Sequence, residues 1–348
     1  MTRTTSPRRL VALAVSVSLA FVVSACSLKA ESGASSDGAS ATPTAQSSSA
    51  ATEVPSLEGK TIGISAKDVV HEFSRSVYEA AQARVKELGG KVIAVQAEAK
   101  DDQHISDVEN LISQKPDAII VILGDAETLE PTLEKVREAD IPLFTVDYSS
   151  SNSINNVTSN NWQIGTTTAI TLAESIGGKG KILVFNGFPG VAPCRIRYNQ
   201  LKLVLEDYPK ISLLSPELQD KYEGTIEDAK QQINAALQRY PKGEISAIWS
   251  CWDLPQIGAA QAVDAAGRDE IKIFGVDAES GALDLIADPD SSYYATIAQQ
   301  SAAMGSGSVD NVALYLGGEE DKVTTTTYFE PILITKDNVE EVRSELGL

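Results

Sequence analysis

From Thr61 onward, apolar and polar positions alternate between two rhythms along the chain. Short apolar runs at Thr61–Ala66, Val92–Ala97, Asp117–Leu123 and Pro142–Asp147 have strand length. The Asp117–Leu123 run is almost wholly aliphatic, as expected of a parallel strand buried on both faces. Between these runs the period changes to that of an amphipathic helix. Phe73–Leu88 places Phe73, Val77, Ala80, Ala81, Val85 and Leu88 on one stripe and ends at Gly89-Gly90. Asp102–Gln114 and Thr128–Ala139 read the same way, the first stopped by Pro116. The rhythm then restarts. Helices are predicted over Trp162–Ile176, Arg195–Asp207, Thr225–Tyr240 and Pro255–Ala266. Strands are predicted over Lys181–Asn186, Ile211–Ser215, Ala247–Cys251, Ile271–Asp277 and Tyr293–Gln299. A helix from about Ser301 to Leu316 and a threonine-rich β segment, Thr324–Thr335, close the chain. Strand–helix alternation at this spacing predicts an α/β fold with parallel sheets wrapped by helices. The strand count exceeds one open sheet of usual size and predicts two doubly wound lobes.

The first sixty residues follow neither rhythm. Arg3, Arg8 and Arg9 precede a 14-residue uncharged apolar run, Leu10–Val23, and Val23-Ser24-Ala25 lead into Cys26. This order is that of a secretory signal ending in a lipobox, with Val in place of the usual Leu at its first position. The run is too short to span a bilayer as a helix. Residues 1–25 are therefore expected to be removed and Cys26 to carry lipid, which places the protein outside the cytoplasm on a membrane anchor. Residues 26–56, rich in Ser and Ala, cannot bury enough apolar surface to offset their ordering entropy and read as a tether. About 290 residues remain for folded domains.

Charge and cysteine count narrow the function. Loss of residues 1–25 removes three Arg and no acid, leaving 26 basic against 48 acidic residues, a net charge of −22. Such a surface keeps the chain soluble, repels nucleic acid and does not adhere to anionic lipid. With Cys26 lipidated, Cys194 and Cys251 form an even pair in an oxidising compartment. His71 and His104 are too few for a typical zinc cage, and neither a metal nor a cofactor is expected. Gly59-Lys60-Thr61 lacks the first glycine of a phosphate loop, and no Gly-x-Ser-x-Gly nucleophile motif is present. An enzyme, for instance a glycosidase built on Asp147 and Asp277, is disfavoured accordingly.

Ligands of doubly wound sheets bind beyond the carboxyl ends of the strands. In this chain those ends hold the loop Lys67–His71 with Phe73, Ser74 and Arg75, then Asp147-Tyr148, then Asn186–Arg197 with Cys194, Arg195 and Arg197. Tyr222, Cys251-Trp252-Asp253, Asp277 and Gln299 follow at later ends. Carboxylates and a guanidinium bracket hydroxyl groups from both sides, and aromatic rings pack on the C–H face of a sugar. Singly, Asp147 or Asp277 fits a helix cap, Phe73 or Trp252 fits the core, and an arginine fits a solvated first turn. Their recurrence on one rim carries the reading.

On these residues the chain resembles the sugar-binding proteins of ribose- and galactose-type ABC importers, the type I periplasmic binding protein fold. The resemblance spans roughly Lys60 to Thr335. It rests on Phe73-Ser74-Arg75-Ser76, on Ile141-Pro142-Leu143-Phe144-Thr145-Val146-Asp147, on Phe274-Gly275-Val276-Asp277 and on Ala295-Thr296-Ile297-Ala298-Gln299. It implies two Rossmann-like lobes joined by a three-strand hinge, crossing near Asn160, Gln299-Gln300 and Thr326–Phe329. The N-terminal lobe would be 60–160 plus 301–326 and the C-terminal lobe 161–299 plus 327–348. It further implies that Phe73 stacks on a sugar, Asp147 and Asp277 accept from its hydroxyls, Arg197 donates to its oxygens, Tyr222 adds a ring, and Gln299 bonds ligand or hinge. Ser74, Tyr148 and Trp252 replace a ribose-type aromatic, arginine and asparagine, so a different pentose, a hexose or a polyol is expected, with Tyr148 and Trp252 counted in the site. The implied partners are an ABC permease, met by the acidic lobe faces, and no nucleic acid; the chain is expected to be a monomer. A sensory lipoprotein for a sugar, nucleoside or furanone, feeding a receptor, is the alternative. In a doubly wound lobe the Lys181 and Ala247 strands are neighbours, so Cys194 and Cys251, just past their ends, are expected to form a disulfide beside the cleft.

Overall fold

The computed structural model describes residues 54–348. The leader, Cys26 and most of the tether lie outside the described residues. The first lobe holds β1 (Thr61–Ala66), α1 (Glu72–Glu87), β2 (Lys91–Gln96), α2 (Asp101–Gln114), β3 (Ala118–Ile122), α3 (Ala126–Glu138), β4 (Leu143–Val146) and β5 (Asn155–Ser159). The chain then enters the second lobe with α4 (Asn161–Ser175), β6 (Gly180–Val184), α5 (Ala192–Leu205), β7 (Ile211–Leu213) and α6 (Thr225–Arg239). It continues through β8 (Ala247–Trp249), α7 (Leu254–Ala265), β9 (Lys272–Phe274), α8 (Ser280–Ala287) and β10 (Tyr293–Ala298). Helix α9 (Ser301–Leu316) and β11 (Thr326–Phe329) return to the first lobe, and β12 (Ile332–Thr335) and α10 (Val339–Leu346) end in the second.

Each lobe is one six-stranded sheet, in the order β11-β5-β4-β3-β1-β2 and β12-β10-β9-β8-β6-β7. All neighbours are parallel except β10 and β12. The aliphatic runs explain this: Ala118 to Ile122 of β3 are all fully buried, with helices covering both faces. One face of the first sheet packs Ile62, Ile64, Val77, Val85 and Val309, the other Val121, Leu129, Leu133 and Tyr148. The second sheet repeats the arrangement.

The first two passages between the sheets lie at residue 160 and at 299–300. The third corrects the expected boundary. Strand β11 stays paired with β5 from Thr326 through Phe329, so residues 327–329 belong to the first sheet and the crossing lies at Glu330-Pro331. The polar strand β5 was not foreseen. Its Asn155, fully buried, donates to Thr324 O at 2.8 Å and Thr327 Oγ1 at 3.0 Å and accepts from Asn311 at 3.0 Å. This satisfied amide network, together with the buried Val157, holds the strand beside β11. The short helices α8 and α10 were not foreseen either.

Candidate functional site

The carboxyl ends of both sheets face each other across a cleft. Its cavity has about 470 Å³ of empty space, counting the part open to solvent. Phe73, Asp147, Arg197, Tyr222, Trp252, Asp277 and Gln299 all line it, joined by His71, Ser74 and Phe188.

Two carboxylates enter at equivalent places, Asp147 after β4 and Asp277 after β9. Both backbones are left-handed, φ +51° and +118°, which is uncommon for non-glycine residues and is found where surrounding structure holds a functional side chain in place. Asp147 accepts from the Thr158 hydroxyl, and Asp277 accepts from Gln299 Nε2 at 2.6 Å. Burial raises the carboxyl of Asp147 above the ordinary carboxylate range, partly offset by the Arg197 charge. The same two influences set Asp277, pushed up to about 6.

Arg197 lies between them, 2 % exposed. Its Nε donates to Asn161 Oδ1 and its Nη1 to Cys251 O, both at 2.8 Å, while Nη1 is 3.7 Å from Asp277. Burial lowers its pKa and the carboxylates of Asp277, Asp147 and Asp253 oppose that, so the guanidinium stays charged. Its Nη2 is buried with no protein partner, as are Gln299 Oε1 and His71 Nε2. A buried polar atom without a partner costs about 1–3 kcal/mol, and these three border one cavity. Donor and acceptor stand ready for a ligand that offers both, which is the chemistry of a hydroxyl.

The rest of the lining is aromatic. Tyr222 and Phe188 have ring centroids 4.3 Å apart, and Trp252 stands edge-on to both at 5.8 and 5.5 Å. His71, from the first lobe, stacks on Tyr222 at 5.3 Å and meets Trp252 at 4.8 Å. Asp68 Oδ1 lies 2.9 Å from His71 Nδ1 and fixes that ring. Asp220 accepts from Trp252 Nε1 and from the Gly187 N–H, which uses up the indole donor and turns the ring into an apolar wall. Cys194 and Cys251 are joined in a disulfide that ties α5 to the end of β8, next to Trp252. Gly165 of α4 lets α5 approach closely, because a Cβ there would stand 2.8 Å from Arg197 O.

One expected site residue is not in the cavity. Tyr148 is 2 % exposed and packs with Leu129 and Leu133, its hydroxyl donating to Glu130 Oε2 at 3.1 Å. Its neighbour Asp147 faces the cleft, so Tyr148 points away into the core. Arg195 is exposed and holds the 189–190 carbonyls. The residues that sequence reasoning did not single out, His71 and Phe188, lie in the rim loops Lys67–His71 and Asn186–Arg197 that it did place at the cleft. Among the described residues no cluster of three or more His, Cys, Asp or Glu fits a metal ion, and no helix is long and apolar enough to cross a membrane.

Three comparisons match this geometry. A solute-binding protein of an ABC transporter from Agrobacterium vitis, solved with bound allitol, is 46 % identical; the match covers 83 % of this chain and 100 % of that one, with a TM-score of 0.81. An ABC sugar transporter subunit from Rhodobacter sphaeroides is 45 % identical over 81 % of this chain and 100 % of its own, with a TM-score of 0.80. The ribose import binding protein of Bacillus subtilis is 28 % identical over 247 residues, 70 % of this chain and 78 % of that protein. These relatives are binding proteins of transporters and not enzymes, and the model of the periplasmic binding protein domain matches residues 62–320. The twin parallel sheets, the cleft at their carboxyl ends and these matches together make the chain a member of the periplasmic binding protein family, in its branch of sugar and polyol ABC transporter solute-binding proteins.

Proposed function

We propose that this chain is an extracytoplasmic lipoprotein that binds one monosaccharide or polyol between its lobes and delivers it to an ABC permease. The observation that carries the reading is Arg197. It is a buried guanidinium with a free Nη2, flanked by one carboxylate from each lobe and walled by aromatic rings. In this reading Asp147, Asp277 and Gln299 accept from ligand hydroxyls, Arg197 donates to a ligand oxygen, and Phe73, Tyr222 and Trp252 pack on its C–H faces. The protein with bound allitol makes hexitols the first probes, followed by pentitols, pentoses and hexoses. The lobes, 60–160 with 301–329 and 161–299 with 332–348, hinge at their three crossings, so that the permease meets a closed form only when ligand is held. Cys26 carries the anchor, residues 26–56 give reach, and the acidic surface meets basic sockets of the permease.

The test is calorimetric titration of residues 26–348 carrying Cys26→Ser, with that panel. Micromolar or tighter binding of a polyol or sugar that disappears in Asp147→Ala is the expected result. No binding by any member refutes the ligand class. Mass spectrometry of the native protein finding an unmodified Cys26 refutes the anchor.

A further inference from the structure

Two helices, one from each lobe, begin opposite each other across the cleft. Helix α1 begins at Glu72 in the first lobe and α8 at Ser280 in the second. Neither receives a side-chain cap from its own N-cap residue, His71 or Glu279. Each is capped by the other. Glu279 reaches over, its Oε2 accepting from the Glu72 N–H and its Oε1 from the Phe73 N–H, both at 3.3 Å. Glu72 reaches back, accepting from the Ser280 N–H at 2.7 Å and the Ser280 hydroxyl at 2.6 Å. Four hydrogen bonds thus join residues 206 to 208 apart in sequence.

A helix N-terminus leaves its first N–H groups unsatisfied and carries partial positive charge, so a carboxylate there is favourable. Here each helix lends the acid that its counterpart lacks. The exchange exists only while the lobes are together, because both partners of every bond sit on different lobes. Glu279 is 5 % exposed, its backbone N–H held by Asp253 at 3.0 Å, and the left-handed Asp277 and Ala278 aim it across the gap. Glu72 is more exposed and lies 4.0 Å from Arg75.

We infer that Glu72 and Glu279 form a reciprocal latch that sets how long the lobes stay closed, and hence the ligand's residence time, without touching the ligand. The inference rests on the reading of the cleft as a closing sugar or polyol site. Loss of a helix cap is worth about a fivefold change in an equilibrium, so each half of the latch shifts affinity by about that factor. The shift falls on dissociation, because the bonds form after encounter.

The experiment compares the parent, Glu72→Ala, Glu279→Ala and the double variant by stopped-flow and calorimetry with the polyol or sugar the parent binds. Dissociation is expected to speed up about fivefold in each single variant and more in the double variant, with association unchanged. Melting of the unliganded protein should stay within about 1 °C of the parent, since the open form lacks the latch. Unchanged dissociation, or a fall in unliganded melting that accounts for the affinity loss, overturns the latch. A parent that binds no member of the panel instead overturns the cleft reading. With the cleft reading the latch falls too, since it acts on a closed, loaded cleft. Where the parent does bind, hydrogen exchange of the ligand-saturated full chain gives a second readout: slower exchange of peptides covering residues 70–75 and 278–282 in the parent than in the double variant supports the latch, and equal exchange overturns it.

Discussion

The disulfide between Cys194 and Cys251 offers a perturbation whose size follows from chain length. The two residues are 57 apart in sequence, and closing a loop of that length removes unfolded-state entropy worth about 4 kcal/mol at 25 °C. The loop lies wholly in the second lobe, from α5 through β7 and α6 to the end of β8. For a unit of 150–250 residues, 1 kcal/mol moves the melting point by about 2–4 °C, so Cys194→Ala/Cys251→Ala should melt about 8–16 °C lower. Binding should weaken as well. Arg197 Nη1 rests on the Cys251 carbonyl, and Trp252 is the next residue, so the bridge fixes both donor and wall. Differential scanning calorimetry of parent and double variant, each without and with saturating ligand, separates the two effects. A variant that melts within about 2 °C of the parent would refute the entropic reasoning.

Other expectations follow from single groups. Arg197→Met keeps the length of the side chain and removes the guanidinium that lines the cavity; calorimetry should show affinity falling by more than about 100-fold, and a change under about threefold would remove Arg197 from the ligand's partners. Asp253 is fully buried, and burial followed by the Asp277 charge pushes its carboxyl up to about 8, while burial followed by Asp277 and Asp253 pushes Glu279 to about 8. Folded protein therefore keeps protons that unfolded chains have released above the ordinary carboxylate range. Stability from these groups is complete below about pH 4 and is lost as pH rises toward about 8. Between pH 6.5 and 8, above the range where buried His104 with its pKa near 4 acts in the opposite sense, urea unfolding of the ligand-free protein should show stability falling by up to about 1.4 kcal/mol per pH unit from Asp253, whose partners all lie in its own lobe. Asp253→Asn should remove most of that slope, and a flat profile in the parent would count against it. In α9, a Cβ on Gly305 would stand 2.3 Å from Val77 O of α1, so Gly305→Ala should lower stability by about 1–3 kcal/mol in urea unfolding, and an unchanged midpoint would show that the two helices separate easily.

Much of this architecture was legible in the order of residues, and the exceptions have physical causes. Parallel strands such as β3 are wholly aliphatic because helices cover both their faces, so the sheets declare themselves. Strand β5, Asn-Asn-Val-Thr-Ser, is held by amide pairing with Thr327 and Asn311, and no apolar pattern marks it. The third crossing shifted for the same reason: the threonines of β11 alternate in no way that tells which sheet they join. In the site, residues at strand ends were readable because topology puts every such end at the cleft. The direction of a side chain was not. Asp147 and Tyr148 are adjacent, and only the backbone turn at Asp147 decides that the acid faces the ligand space and the tyrosine the core. His71 gains its place from Asp68 and from rings more than a hundred residues away, a proximity that no local pattern records.

The strands β11 and β12 are consecutive in the chain yet lie on the outer edges of different sheets. Neither lobe is therefore a contiguous piece of polypeptide, and neither sheet is complete until residues 326–335 have been made. A nascent chain passes most of its synthesis as two unfinished halves, each with an open flank. For a protein that we propose leaves the cytoplasm, that delay favours a chain still loose enough to thread across a membrane. It also means that a single cut near residue 323 would strip a border strand from both halves at once, so residues 324–348 govern the survival of the whole.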